Sequence, residues 1–162
     1  LEFEKYNLDF KIYGVQWDKD KSVFNKLRHR IENRYVENPE YSKIISSAKI
    51  SICLLSKAND DDITTRTIEI PAIGSLLLSE KTKVQKKILI ENKEAVYFKN
   101  ADECAQKCKN LLKNPRKIKT ISKKGNYKIT KILKPEGKNV MKKILEIKFL
   151  NKNTKKFIYR FD

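Results

Sequence analysis

The 162-residue chain is poor in the residues and motifs on which many familiar chemistries are built. It holds one histidine, one tryptophan and one methionine. No GxGxxG, GxxxxGK(S/T), GxSxG or HExxH occurs, which removes the usual dinucleotide, P-loop, serine-hydrolase and zinc-protease readings. The single histidine, His29, lies in the basic run Lys26-Leu27-Arg28-His29-Arg30 and reads as a solvated surface residue. Cys53, Cys104 and Cys108 are odd in number and show no CxxC pairing, so they support neither a disulfide framework nor a zinc site, and a reducing cytoplasm fits them. Cys104 and Cys108, one helical turn apart, read as lining a core face, and no metal or cofactor is called for. Four glycines and four prolines beside 40% apolar residues exclude a disordered or fibrous chain. No apolar run approaches the roughly 18 residues of a membrane span, and the opening Leu1-Glu2-Phe3-Glu4-Lys5 has no apolar signal block. It also lacks an initiator Met, which reads as a fragment or a processed piece.

Acidic residues are the other shortage, and a local one. The net charge is +17, but residues 1–112 hold 20 Lys/Arg against 17 Asp/Glu while residues 113–162 hold 17 against 3. A nearly balanced body is followed by a basic tail, which predicts weak contact of residues 113–162 with nucleic acid or an anionic membrane surface. Lysine outnumbers arginine 31 to 6, so the arginine forks and stacked aromatics of specific nucleic-acid readers are thin.

What is present alternates between strand and helix patterns. Residues 8–15 alternate and read as a strand ending near Gly14, with a turn to Trp17 that suits base stacking or edge packing alike. Val23, Phe24, Leu27 and Ile31 predict a helix over 22–33, followed by a short strand over 34–37 and the breaker Asn38-Pro39. Further helices are expected over 40–48, 82–91, 101–113 and 116–127, and strands over 50–55, 75–78 and 95–98. In helix 101–113, Cys104, Ala105, Cys108, Leu111 and Leu112 are expected on one inward side, and Ile118 and Ile121 inward in the next. Residues 140–150 read as helix with a short tail, although 157–161 alternate like a strand. Such alternation means βαβ units: an α/β, Rossmann-like parallel sheet with helices on both faces. Residues 1–135 are read as that domain and 136–162 as a basic C-terminal helical extension.

Ligands of such sheets bind outside the carboxyl ends of the strands, which brings forward residues 14–17, 37–41, 56–65 and 80–81. The richest stretch is 59–80: Asp60, Asp61 and Asp62 give way to Thr64 and Thr65, good helix starters, then to Arg66, Glu69 and Ile70, with Pro71 and Gly74 near the helix end. Free N–H groups at the helix start suit an anion. Arg66 and Glu69, three apart, share a face and can reach one ligand.

The segments Ala48-Lys-Ile-Ser-Ile-Cys-Leu54, Asn59, Thr65-Arg-Thr-Ile-Glu-Ile-Pro-Ala-Ile-Gly-Ser-Leu-Leu-Leu-Ser-Glu80 and Asn92-Lys-Glu-Ala-Val-Tyr-Phe98 resemble the spore-maturation-type glycosyltransferase family, over about residues 10–135. That family resembles the nucleotide-sugar-binding, C-terminal half of two-domain (GT-B) glycosyltransferases. The resemblance implies a hexosyl-type transferase that moves a sugar from a nucleotide-diphosphate sugar to an unknown acceptor, with an N-terminal acceptor domain outside this chain. It makes Glu69 the carboxylate on the ribose hydroxyls, and it places Thr64 and Thr65 at the diphosphate with Arg66 as an added cation. Asp61 takes the place of the second acid near the transferred sugar, as Asp rather than Glu and without the usual Gly-Phe-Gly-like segment. Asn59, Gly14 and Tyr41 complete the donor set, the loop around Tyr41 bordering the base. Two rival classes fit the same composition: a basic nucleic-acid-binding module, and a non-catalytic interaction domain of the same fold.

Overall fold

Strands and helices alternate along the computed structural model, which describes residues 2–133. In chain order the elements are α1 (Glu2–Lys5), β1 (Ile12–Tyr13), α2 (Lys21–Leu27), β2 (Ile31–Glu32), α3 (Glu40–Ser47), β3 (Ile50–Cys53), α4 (Arg66–Ile73), β4 (Leu76–Glu80), α5 (Lys83–Ile88), β5 (Val96–Phe98), α6 (Ala101–Leu112) and α7 (Pro115–Tyr127). Wider π-type turns continue over Lys128–Leu133. The extension read over 136–162, its helix over 140–150 included, lies outside the described residues.

Among the described residues all pairings are parallel, β1 with β2 and β3-β4-β5 in a second sheet. A helix separates each consecutive strand pair, as parallel neighbours require. The run Leu76-Leu77-Leu78 of the central strand β4 is buried on both faces, which is why it reads as continuously apolar. Leu76 and Leu78 pack with Val96, Phe98 and the α6 and α7 residues Cys104, Ala105, Cys108, Leu111, Ile118 and Ile121. Leu77 turns the other way, with Tyr97, Ile70, Val84 and Ile88. Each such buried aliphatic side chain contributes about 1.5–3 kcal/mol. Helices therefore cover both faces, as the sequence pattern predicts.

Four expectations are corrected. The helix over 22–33 ends at Leu27; Arg28–Arg30 form a 3₁₀ turn and Ile31 enters β2, paired with Ile12. The strand expected over 34–37 therefore lies at Ile31–Glu32, and Tyr35 is exposed. Ile31 continues the helical spacing of Phe24 and Leu27, but pairing with β1 decides its conformation. Leu112, expected inward, stands at the rim of α6 and is exposed. The strand over 8–15 is shorter than expected, at Ile12–Tyr13, and Leu8 packs in the core instead.

Candidate functional site at the start of helix α4

The loop 54–65 leaves β3 at its carboxyl end and delivers the chain into α4, whose other end closes on Gly74. Gly74 adopts φ +102°, and its N–H reaches the carbonyls of Ile70 and Pro71. Asn126 of α7 donates from Nδ2 to the carbonyls of Pro71 and Ala72 at 2.9 and 2.8 Å, so the last turn of α4 is tied down from a second helix. Inside, the buried Thr67 hydroxyl donates to Gln85 Oε1 at 3.1 Å, and Gln85 Nε2 donates to Glu80 O at 2.9 Å. Thr82 caps α5 by accepting from Gln85 N–H and donates to Asp62 O at 2.8 Å. These bonds fix α4 and the loop against the ends of β4 and α5. Residues 82–85 match the Ser/Thr-x-x-Glu/Gln capping pattern, the one sequence signal for this support.

At the first turn of α4, Arg66 Nη1 donates to Glu69 Oε2 at 2.7 Å, as the three-residue spacing predicts. The Tyr41 hydroxyl, from the first turn of α3, donates to the same oxygen at 3.2 Å. The Arg66 guanidinium lies 4.2 Å from the centre of the Tyr41 ring, close enough for a cation–π contact. Among the described residues Glu69 Oε1 accepts from nothing, and the side chain is 42% exposed. The carboxylate is thus oriented through one oxygen and presents the other. Burial pushes the Tyr41 phenol above its ordinary pKa. Burial acts against the charge of Arg66, yet Tyr41 and Glu69 together raise its pKa above the usual value.

Thr65 precedes the first helical residue in helical conformation, and its side chain makes no capping bond. The N–H groups of Thr65 and Arg66 have no acceptor among the described residues, whereas Thr67 N–H closes on Thr64 O. Thr64 turns its hydroxyl to Cys53 Sγ at 3.4 Å. Asn59 is exposed, its N–H on Ser56 Oγ, and Asp61 donates its N–H to Ser56 O. Gly14 sits apart, on the turn after β1, at φ +140° with its N–H on Glu32 O. A Cβ there would meet Trp17 Nε1 at 3.3 Å, so Trp17 packs on the turn it follows, beside a hollow of about 430 Å³ lined by Val15, Lys19 and Val23. Lys81, at the end of β4, is held by Glu91 at 2.8 Å. His29 is exposed beside Glu4, and Cys104 and Cys108 are buried in the core face. The structure thus joins Arg66, Glu69 and Tyr41, lays Asn59, Asp61, Thr64 and Thr65 along one loop, and leaves Gly14 on another turn.

The sequence model of the glycosyl transferase-like family matches residues 2–145. The chain belongs to that family. The match spans every described element, the loop and helix start just described included. Comparison with curated proteins gives no match. No described helix is long and apolar enough to cross a membrane.

Proposed function

We propose that this glycosyl transferase-like domain is the donor-binding half of a GT-B enzyme of the spore-maturation type, transferring a sugar from a nucleotide-diphosphate sugar to an acceptor held by a second domain. The observation that carries the reading is the Glu69 carboxylate at the start of α4, steadied through Oε2 by Arg66 and Tyr41 with Oε1 open. A carboxylate accepts from both hydroxyls of a vicinal diol, so Glu69 binds the ribose of the donor. The free N–H groups of Thr65 and Arg66 point along the helix dipole toward the diphosphate, with the Arg66 guanidinium, held by Glu69 and Tyr41, as a second contact. Thr64 and Asn59 border that phosphate and the Tyr41 ring borders the base, while Gly14, on the separate turn after β1, would join only from across the sheet edge. Asp61, five residues before the helix start, lies toward the transferred sugar.

Transfer in this site is electrostatic. As the glycosidic bond to the diphosphate breaks, charge collects on the departing phosphate oxygens. Fixed amides and a guanidinium stabilise that charge without reorganising. Without an acceptor aligned at the sugar the same site binds donor but transfers slowly.

Calorimetric titration with a nucleoside, its diphosphate and several nucleotide sugars tests the reading. Saturable binding, tighter for the diphosphate than for the nucleoside, is expected. Failure of every nucleotide to bind contradicts it.

A further inference from the structure

We propose that the solvent face of α7 docks on an anionic lipid surface. Between Cys104 and Pro135 the chain has eleven Lys/Arg and no Asp or Glu, whereas residues 1–112 nearly balance the two signs. A general bias toward lysine does not explain the lost acids, because the same bias leaves 17 of them in the body. In α7, Ile118, Ile121, Ser122 and Gly125 are buried against the core. The opposite face carries Arg116, Lys119, Lys123 and, at its end, Tyr127, at the three- and four-residue spacing of one helical stripe, with Lys124 flanking it, all exposed. None of these four cations has a carboxylate partner among the described residues.

The arrangement is electrostatically unfavourable for the isolated helix in two ways. Arg116 and Lys117 occupy the first turn, where the helix dipole favours acids. Lys119 and Lys123 oppose like charge with like charge at i,i+4. Nothing within the described molecule offsets this, and residues 134–162 carry nine Lys/Arg against three acids, so the continuing chain has the wrong sign to cover the face. The complement is an external anionic surface.

A lipid surface fits better than nucleic acid. The face is a single convex helix rather than a groove, its cations are three lysines and one arginine, and it offers one exposed ring rather than a stacking platform. Lysines act as point charges toward phosphate headgroups, and Tyr127, with its apolar body and polar tip, suits the headgroup level. Asn126 ties this helix to the end of α4 opposite the candidate site, so docking leaves the start of α4 open. The inference stands independently of the donor-site reading.

The test is sedimentation of the full chain with vesicles of phosphatidylcholine, with and without about 30% phosphatidylserine, at about 0.05 and about 0.5 M NaCl. Binding only to the anionic vesicles, lost at high salt, is expected. The variant Arg116→Gln, Lys119→Gln, Lys123→Gln, Lys124→Gln should lower the partition coefficient roughly 100-fold or more, taking a factor of about 5 per cation. A variant of equal net charge, Lys21→Gln, Lys26→Gln, Lys83→Gln, Lys87→Gln, should keep most of the binding. Equal binding to neutral vesicles, an unaffected α7 variant, equal loss in the control variant, or tighter binding to duplex DNA than to the vesicles at the same salt would each overturn the proposal.

Discussion

Thr67 and Gln85, 18 residues apart in sequence and both fully buried, are joined by a 3.1 Å hydrogen bond that connects α4 to α5. The bond matters because Gln85 also reaches Glu80 O at the end of β4, so one amide sets the spacing of three elements around the candidate site. Thr67→Val leaves Gln85 Oε1 buried without a donor and is expected to cost about 1–3 kcal/mol. Gln85→Leu alone leaves both the Thr67 hydroxyl and the Glu80 carbonyl unmet. The double variant should be less destabilised than the sum of the two, and a urea-unfolding double-mutant cycle measures the difference. Strict additivity would mean that the pair does not act as a unit.

Gly125 lies in the last turn of α7, still helical, where a helix former would ordinarily be better. A Cβ at that position would stand 2.3 Å from the backbone oxygen of Glu94 and 3.5 Å from Pro71 Cβ. The first contact is with main chain, which has no rotamer to yield. Gly125→Ala is therefore expected to destabilise by about 1–3 kcal/mol, as forced overpacking does, despite the better helix propensity of alanine. Gly74→Ala, at φ +102° with open space around it, should cost about 1–2 kcal/mol through backbone strain alone. Thermal unfolding of the two single variants checks both values; a Gly125→Ala protein as stable as wild type would mean that the Glu94 main chain yields to the added Cβ, and a Gly74→Ala protein as stable as wild type would mean that its positive φ costs alanine nothing.

Tyr97 is wholly buried in β5, its hydroxyl donating to the carbonyls of Gln85 and Leu89, each at 3.0 Å. Burial, with Glu91 and Glu94 nearby, pushes its phenol far above the ordinary value of 10.0. The folded chain then holds this proton where the unfolded chain has released it. Stability is full below about pH 10 and falls above it, by up to about 1.4 kcal/mol per pH unit for this group. Tyr97→Phe should be less stable at neutral pH by about 0.5–1.5 kcal/mol for the lost hydrogen bonds, yet should lose stability less steeply above pH 10. Denaturant midpoints of both proteins between pH 8 and about pH 11 check the crossing trend. Parallel profiles would place the titration elsewhere.

The sequence shows the frame and half of the site. The two-sided burial of Leu76-Leu77-Leu78 and the Cys104-Ala105-Cys108-Leu111 stripe are local patterns, and both elements stand where those patterns put them. The helix-to-strand change at Ile31 is set by pairing with Ile12, some twenty residues away, and no local period announces it. In the site, the Arg66–Glu69 pair follows from helical spacing. The Tyr41 bond to Glu69 spans 28 residues, and the need for glycine at 125 comes from the Glu94 carbonyl, so both depend on how distant segments meet. Thr65, one of the two threonines read as good helix starters, makes no side-chain cap because its own backbone is already helical.

The central claim is that Glu69 binds the ribose of a donor nucleotide, and calorimetric titration of wild type and Glu69→Gln tests it most directly. Against a nucleoside diphosphate, the variant should bind more weakly by about 1.5–3 kcal/mol, the range for hydrogen bonds to a charged group. Against the 2′,3′-dideoxy analogue, which has no diol, the two proteins should bind almost alike. An exposed Glu69 that merely pairs with Arg66 would contribute about 0–1 kcal/mol of stability and nothing to ligand affinity. Equal affinity of wild type and Glu69→Gln for the intact nucleotide would contradict the account.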